Sequence, residues 1–120
     1  MPFEISITRE FSASHQLKLG DGSLEPLHGH NWVVKVTVGT TKLDSIGVVM
    51  DFHELERLVD EIVKPMHNRH LNDLPGFAER NPSAESVAAY LAEAIAIPGQ
   101  VRLLAVEVWE TPGCCAIYRP

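Results

Sequence analysis

His28-Gly29-His30 is the sharpest chemical feature of this sequence. On a β-strand, residues two apart point to the same side, so both imidazoles can reach one point in space. Gly29 between them leaves room and backbone freedom. His15 lies upstream in Ser12-Ala13-Ser14-His15, where an antiparallel neighbour strand would bring it alongside the pair. Three neutral imidazoles around one point make a zinc (Zn2+) site with its fourth position open, the catalytic rather than the closed structural pattern. Imidazole also suits iron, nickel and copper, so the spacing leaves the metal open. The plainer alternative is a pair of surface or hydrogen-bonded histidines two residues apart by chance. Glu25 stands shortly before the pair, in Glu25-Pro26-Leu27-His28. Facing the open metal position from a loop, it is a candidate general base if burial tunes its pKa. Taken alone, it reads more simply as a solvated loop carboxylate.

The elements that must position these residues follow from periodicity. Phe3, Ile5 and Ile7 alternate with Glu4, Ser6 and Thr8, the period of a half-buried strand. Asn31 to Val38 reads as a second strand, with Val34, Val36 and Val38 on one face. Between them Gly20-Asp21-Gly22-Ser23 is turn chemistry. Asp51 followed by Glu54 suggests a capping box, and Leu55, Leu58, Val59, Ile62 and Val63 recur at helical spacing behind it. Asn68 to Pro82 is polar and turn-rich and reads as a loop. Asn81-Pro82-Ser83 opens a second helix with Val87, Ala88, Leu91, Ala94 and Ile95 on its apolar face, ended by Pro98-Gly99. Val101 to Glu110 and Cys114 to Tyr118 are two further strands around the turn Thr111-Pro112-Gly113. The order ββααββ with short connections predicts an α+β domain over residues 1–120: a four-stranded antiparallel sheet with two helices on one face. Its two edges would be open, and pairing with other subunits is one way to cover them.

Composition bounds the function. The chain has 120 residues, 45% hydrophobic and 22% charged, which is ordinary globular composition and argues against disorder. A net charge of -6 is a poor match for a nucleic-acid backbone, though it leaves room for an anionic small molecule in a local pocket. There is no run of eighteen apolar residues, so no membrane span is expected. Six histidines stand against two cysteines, and those two, Cys114 and Cys115, are adjacent and cannot staple a fold. With no signal peptide at the start, a reducing cytoplasm is the expected compartment.

Phe11-Ser12-Ala13-Ser14-His15 and His28-Gly29-His30-Asn31, followed by Val49-Met50-Asp51-Phe52, His70-Leu71-Asn72-Asp73, Asn81-Pro82-Ser83-Ala84-Glu85 and Glu110-Thr111-Pro112-Gly113, form a colinear set over nearly the whole chain. This set resembles the 6-pyruvoyl-tetrahydropterin synthase and 6-carboxy-tetrahydropterin synthase family. The resemblance implies the tunnelling fold (T-fold), assembly as trimers or hexamers, and zinc held by His15, His28 and His30. It implies that Glu110 grips the guanidine-like edge of a pterin through two parallel N–H bonds, where the residue alone would read as a strand-end surface charge. Ser83 falls in a stretch resembling the family's pterin-contacting helix start, and reads equally as a helix cap. The implied substrate is 7,8-dihydroneopterin triphosphate.

Two departures bear on the reaction. The family's usual cysteine would precede the His-Gly-His pair, where Leu24 and Glu25 stand instead. Glu-x-x-His-Gly-His resembles the subgroup with glutamate for cysteine, associated with retro-aldol cleavage to 6-hydroxymethyl-dihydropterin, and this makes Glu25 the preferred general base. The family's Asp-His pair before Leu-Asn is replaced by His67-Asn68. Either His67 or His70 takes that proton-relay role, or both are loop histidines with no catalytic part. Formation of 6-carboxy-tetrahydropterin on the queuosine route is the runner-up, and a non-catalytic pterin-binding module is the rival from another class. His53 reads as an exposed helix residue.

Overall fold

A computed structural model describes all residues from 1 to 120. Strands β1 (Phe3–His15) and β2 (His28–Thr40) pair antiparallel over their full length, from Phe3 opposite Thr40 to His15 opposite His28. Helix α1 (Phe52–Val63) follows, then β3 (Arg69–His70), α2 (Ala84–Ala94), β4 (Arg102–Thr111) and β5 (Cys114–Tyr118). The sheet order is β3-β1-β2-β4-β5.

The sheet corrects the expectation of four antiparallel strands. It has five strands and is mixed, because the two-residue β3 pairs parallel to the end of β1, with Ala13 opposite Arg69 and Ser14 opposite His70. Asn68 makes this possible from within the segment read as a loop. It adopts a left-handed φ of 59°, and its N–H donates to the Ser12 carbonyl at 2.6 Å. Asparagine tolerates that conformation better than most residues. The rest of the segment holds three-residue 3-10 turns at Leu71–Asp73 and Pro75–Phe77.

Strand β1 runs seven residues beyond the alternation of Phe3 to Thr8. Arg9 interrupts the apolar side, but it is satisfied there. Its guanidinium donates to both Asp60 carboxylate oxygens, at 2.8 and 3.2 Å, and lies 3.1 Å from Glu56, both on α1. Apolar packing resumes with Phe11 and Ala13. The two helices cover this one face of the sheet. Leu55, Val59 and Val63 from α1, and Val87, Ala88 and Leu91 from α2, join Ile7, Phe11, Trp32, Val34, Val36, Val106 and Val108 in one core. Phe11 and Trp32, directly opposite each other in the ladder, stack with ring centroids 5.9 Å apart. The other face of β1 carries Ser6, Thr8, Glu10, Ser12 and Ser14, with no helix over it.

Both helix starts are capped. Asp51 accepts from the His53 N–H at 2.8 Å, while Glu54 turns to Arg57 instead of closing a capping box. Ser83 accepts from the Ser86 N–H at 3.1 Å. No helix is long and apolar enough to cross a membrane.

Candidate active site

The long β1–β2 ladder brings the three histidines together. Its register places His15 opposite His28 and Ala13 opposite His30, so the side chains of residues 15, 28 and 30 emerge on the helix-covered side, next to Trp32. Their ligand-type nitrogens all lie within 4.8 Å of one another. The Trp32 ring lies edge-on to His15 and to His30, at centroid distances of 4.9 and 5.4 Å. Its indole N–H is fixed on the Ala13 carbonyl at 3.1 Å. The cluster thus has an aromatic floor tied to the backbone of the strand that carries His15.

Two proline carbonyls set the tautomers. His15 Nδ1 lies 2.7 Å from the Pro82 carbonyl, and His28 Nδ1 lies 2.8 Å from the Pro26 carbonyl. A carbonyl only accepts, so each Nδ1 carries the proton, and in the neutral ring each Nε2 presents a lone pair. Those two Nε2 atoms face each other at 3.0 Å. Two lone pairs at that distance repel unless a cation or a proton sits between them. The third nitrogen, His30 Nε2, is buried and has no hydrogen-bond partner. A buried ring nitrogen without a partner is costly. Burial also pushes the His30 pKa down, a tendency the neighbouring His15 and His28 reinforce and Glu110 opposes, so that imidazole favours the neutral form a metal requires. Three ligand nitrogens around a tetrahedral zinc would sit about 3.3 Å apart. The donor set therefore fits a metal ion, with the His15 and His28 imidazoles held from behind by backbone carbonyls as metal-binding histidines commonly are.

Two carboxylates flank the cluster. Glu110, at the end of β4, places its oxygens 3.8 Å from His30 Nε2 and 4.0 Å from His15 Nε2. Glu25, in the β1–β2 connection, has Oε1 4.0 Å from His28 Nε2. That same Oε1 accepts the Leu17 N–H at 3.0 Å, and the Glu25 N–H donates to the Leu17 carbonyl at 3.0 Å. Glu25 is therefore not a freely solvated loop charge.

The other candidate residues lie elsewhere. His67 Nδ1 accepts the Ser12 N–H at 3.1 Å, and His70 Nδ1 lies 2.9 Å from Ser14 Oγ. The structure pairs both with β1 serines instead of with the three clustered imidazoles. Ser83 caps α2, next to the Pro82 carbonyl that holds His15. His53 is exposed on α1. Cys114 and Cys115 are exposed on β5, two strands from β2, and burial together with Glu107 pushes the Cys115 thiol pKa up.

Sequence reasoning missed the residues that hold the site from behind. Carbonyls carry no side-chain signature, so only the prolines that place them, Pro26 and Pro82, were visible. Asn72 and Asn81 did carry a signal, since both sit in the short matched stretches of the chain, and their carboxamides bond to the backbone of Gln16 and Lys18.

Comparison with known proteins agrees with this arrangement. The 6-pyruvoyl tetrahydropterin synthase family matches residues 4–120. This chain belongs to that family. It is 35% identical over 113 residues to the dihydroneopterin monophosphate aldolase of Pyrococcus furiosus, covering 92% of this chain and 91% of that protein. It is equally 35% identical over 119 residues to the 6-carboxy-5,6,7,8-tetrahydropterin synthase of a Synechocystis species, covering 93% of this chain and 91% of that one. The fold matches the Caenorhabditis elegans 6-pyruvoyl tetrahydropterin synthase with a TM-score of 0.82 at 25% identity, over 98% of this chain and 95% of the other. The five-stranded sheet with its two helices is thus the family's T-fold. Its members are lyases of pterin biosynthesis, the family is known for a metal site, and His15, His28 and His30 form a cluster that could hold a metal ion.

Proposed function

We propose that this family member is a zinc-dependent aldolase that cleaves the side chain of a phosphorylated dihydroneopterin to 6-hydroxymethyl-dihydropterin. The observation that carries the reading is the Glu25 carboxylate, fixed on the Leu17 N–H and 4.0 Å from His28 Nε2, in a loop that has no cysteine. The similarity to the Pyrococcus aldolase supports it.

In this reading His15, His28 and His30 hold the metal through their Nε2 atoms. A bound zinc would supply Lewis acidity to substrate hydroxyls. Glu25 takes the proton from the side-chain hydroxyl on the far carbon of the bond to be broken. As that oxygen becomes an aldehyde carbonyl, the carbon–carbon bond breaks and its electron pair moves into the C=N of the dihydropterin ring. The carbon left on the ring is then reprotonated, and the two-carbon aldehyde departs with the phosphate. Glu110 accepts two N–H bonds from the pterin's amino-pyrimidine edge, which orients the side chain toward Glu25. Ser83, at the neighbouring helix start, contributes to the same pterin pocket. His67 and His70 are the residues available for a proton relay in place of the family's Asp-His pair. The unpaired edge of β5 and the largely uncovered edge of β1 support assembly as a homo-oligomer, a trimer or hexamer, through sheet edges.

A second reading, 6-carboxy-tetrahydropterin formation, is favoured by the equal identity to the Synechocystis synthase. Mass spectrometry of the products after incubating zinc-loaded protein with dihydroneopterin triphosphate, and separately with the monophosphate, tests both. A hydroxymethyl product supports the aldolase, and a carboxy product the alternative. Tight binding with unchanged substrate overturns both in favour of a non-catalytic module.

A further inference from the structure

The segment that follows β1 is extended, and its backbone is used on both sides. Residues 16 and 18 turn their backbone groups one way and residue 17 the other, as in any extended chain. On one side Asn72 brackets Gln16: the Gln16 N–H donates to Asn72 Oδ1 at 2.9 Å, and Asn72 Nδ2 donates to the Gln16 carbonyl at 2.7 Å. Asn81 brackets Lys18 in the same manner, with bonds of 2.8 and 3.0 Å. Each carboxamide thus stands in for the peptide group of a neighbouring strand, one donor and one acceptor at alternate residues. The two asparagines come from different parts of the chain between α1 and α2, yet they clamp positions two apart.

On the opposite side lies Leu17. Its N–H donates to Glu25 Oε1, and its carbonyl accepts the Glu25 N–H. Gln16 adds a third tie, its side-chain amide donating to the Glu25 carbonyl at 3.2 Å. Glu25 is consequently held by residues 16 and 17, while residues 16 and 18 are held by Asn72 and Asn81. Residues 16–18 contain no glycine, and beyond them the chain returns to Glu25 through a bond from the Leu19 N–H to the Ser23 carbonyl at 2.7 Å. Leu17 is only half-buried, and Lys18 and Leu19 are exposed.

We infer that Asn72 and Asn81 are positioning residues for Glu25, acting through the backbone of residues 16–18. This inference rests on the reading of Glu25 as the general base. Neither asparagine hydrogen-bonds to the three histidines, and Asn72, unlike Asn81 beside the Pro82 carbonyl that holds His15, is remote from that carbonyl in sequence, so the effect of Asn72 on turnover should pass through the carboxylate and not through metal content. A misplacement of about 1 Å at a reacting group can cost about a hundredfold in rate. Asn72→Ala is therefore expected to lower kcat by about 10- to 100-fold, with KM and bound zinc changed by less than about threefold. Asn81→Ala should lower kcat in the same direction, and Asn72→Asp, which keeps one of the two bonds, should recover part of the loss.

Two measurements test this together on the full-length protein. In the zinc-loaded protein, amide hydrogen exchange at Leu17 should quicken in Asn72→Ala and Asn81→Ala, while exchange at Val34 and Val36 in the core of β2 stays unchanged. Kinetics should then show that Asn72→Ala costs nothing further in a Glu25→Gln background. Unchanged Leu17 exchange, an unchanged kcat, or a kcat loss that tracks zinc loss would each overturn the positioning role. Additive losses in the double variant would do the same. Full activity in Glu25→Gln alone would overturn the reading of Glu25 as the base, a separate failure. If Asn72→Ala does not fold, Asn81→Ala and Asn72→Asp carry the same measurements.

Discussion

Two neighbouring residues of β1 serve two different regions. His15 faces the helix-covered side and joins His28 and His30 over Trp32, whereas Ser14 faces the side without helices and meets His70. In the first region the ring hydrogens of His15 and His28 are spent on backbone carbonyls, the Nε2 atoms converge, and two carboxylates stand within 4.0 Å. In the second region His67 and His70 spend Nδ1 on Ser12 and Ser14, and neither makes an ion pair with a carboxylate. Histidine content is therefore a poor guide to chemistry. What separates a convergent site from a pair of hydrogen-bonded loop histidines is where the second nitrogen is left and what surrounds it.

The largest effect should come from breaking the convergent region itself. His28→Ala removes one of three metal donors and leaves His15 Nε2 without its partner. Zinc content by elemental analysis should fall to near background and turnover with it, while the circular dichroism spectrum stays that of the folded protein. A cooperative loss of folding would mark the metal as structural. Next comes Glu25→Gln, which keeps the shape of the side chain and removes the base. Zinc should be retained and kcat should fall by about 10² to 10⁴. Unaltered activity removes Glu25 from the mechanism. Glu110→Gln should act on binding: losing a charge-assisted bond of about 1.5–3 kcal/mol raises KM by roughly 10- to 100-fold. A kcat loss with unchanged KM would reassign Glu110 to the chemistry.

The second region supplies the contrast. His67→Gln and His70→Gln should each lower kcat by less than Glu25→Gln does, and the larger of the two losses identifies the residue that relays a proton. Losses as large as that of Glu25→Gln would erase the difference between the regions. Stopped-flow kinetics on the two variants, made separately, measures this.

How far the sequence discloses these regions depends on which atoms do the work. The His-Gly-His spacing requires only that β2 be a strand, and the third histidine requires only a hairpin-like return, so the cluster was legible. The sheet was legible except at β3, where two residues without apolar alternation pair only because Asn68 turns the chain into register with Ser12. The length of β1 was hidden by Arg9, which looks like the end of an apolar face until Glu56 and Asp60 arrive from α1, about fifty residues away. The mount of Glu25 was legible only in part. Its carboxamides, at Asn72 and Asn81, lie in the matched stretches of the chain, but they act on main-chain groups of residues 16–18, and a side-chain pattern does not report where a backbone N–H points.

Ser83 gives the finest test of the comparison, because it belongs to the edge of the convergent region yet visibly does ordinary work. Its hydroxyl oxygen accepts the Ser86 N–H and its hydroxyl donates to Ser86 Oγ, so the helix cap is complete without any ligand. Ser83→Ala should cost about 1 kcal/mol of stability, the usual loss for an N-cap, seen as a lowered Tm. The residue just before it, Pro82, carries the carbonyl that holds His15, so fraying at Ser83 should loosen that ring before it disturbs Glu25. Zinc affinity, measured by competition with a chelator, should then weaken slightly while kcat at saturating zinc is unchanged. A rise in KM for the pterin at unchanged zinc affinity would instead show that the hydroxyl gives up its cap bond to the substrate, and would extend the convergent region as far as the start of α2.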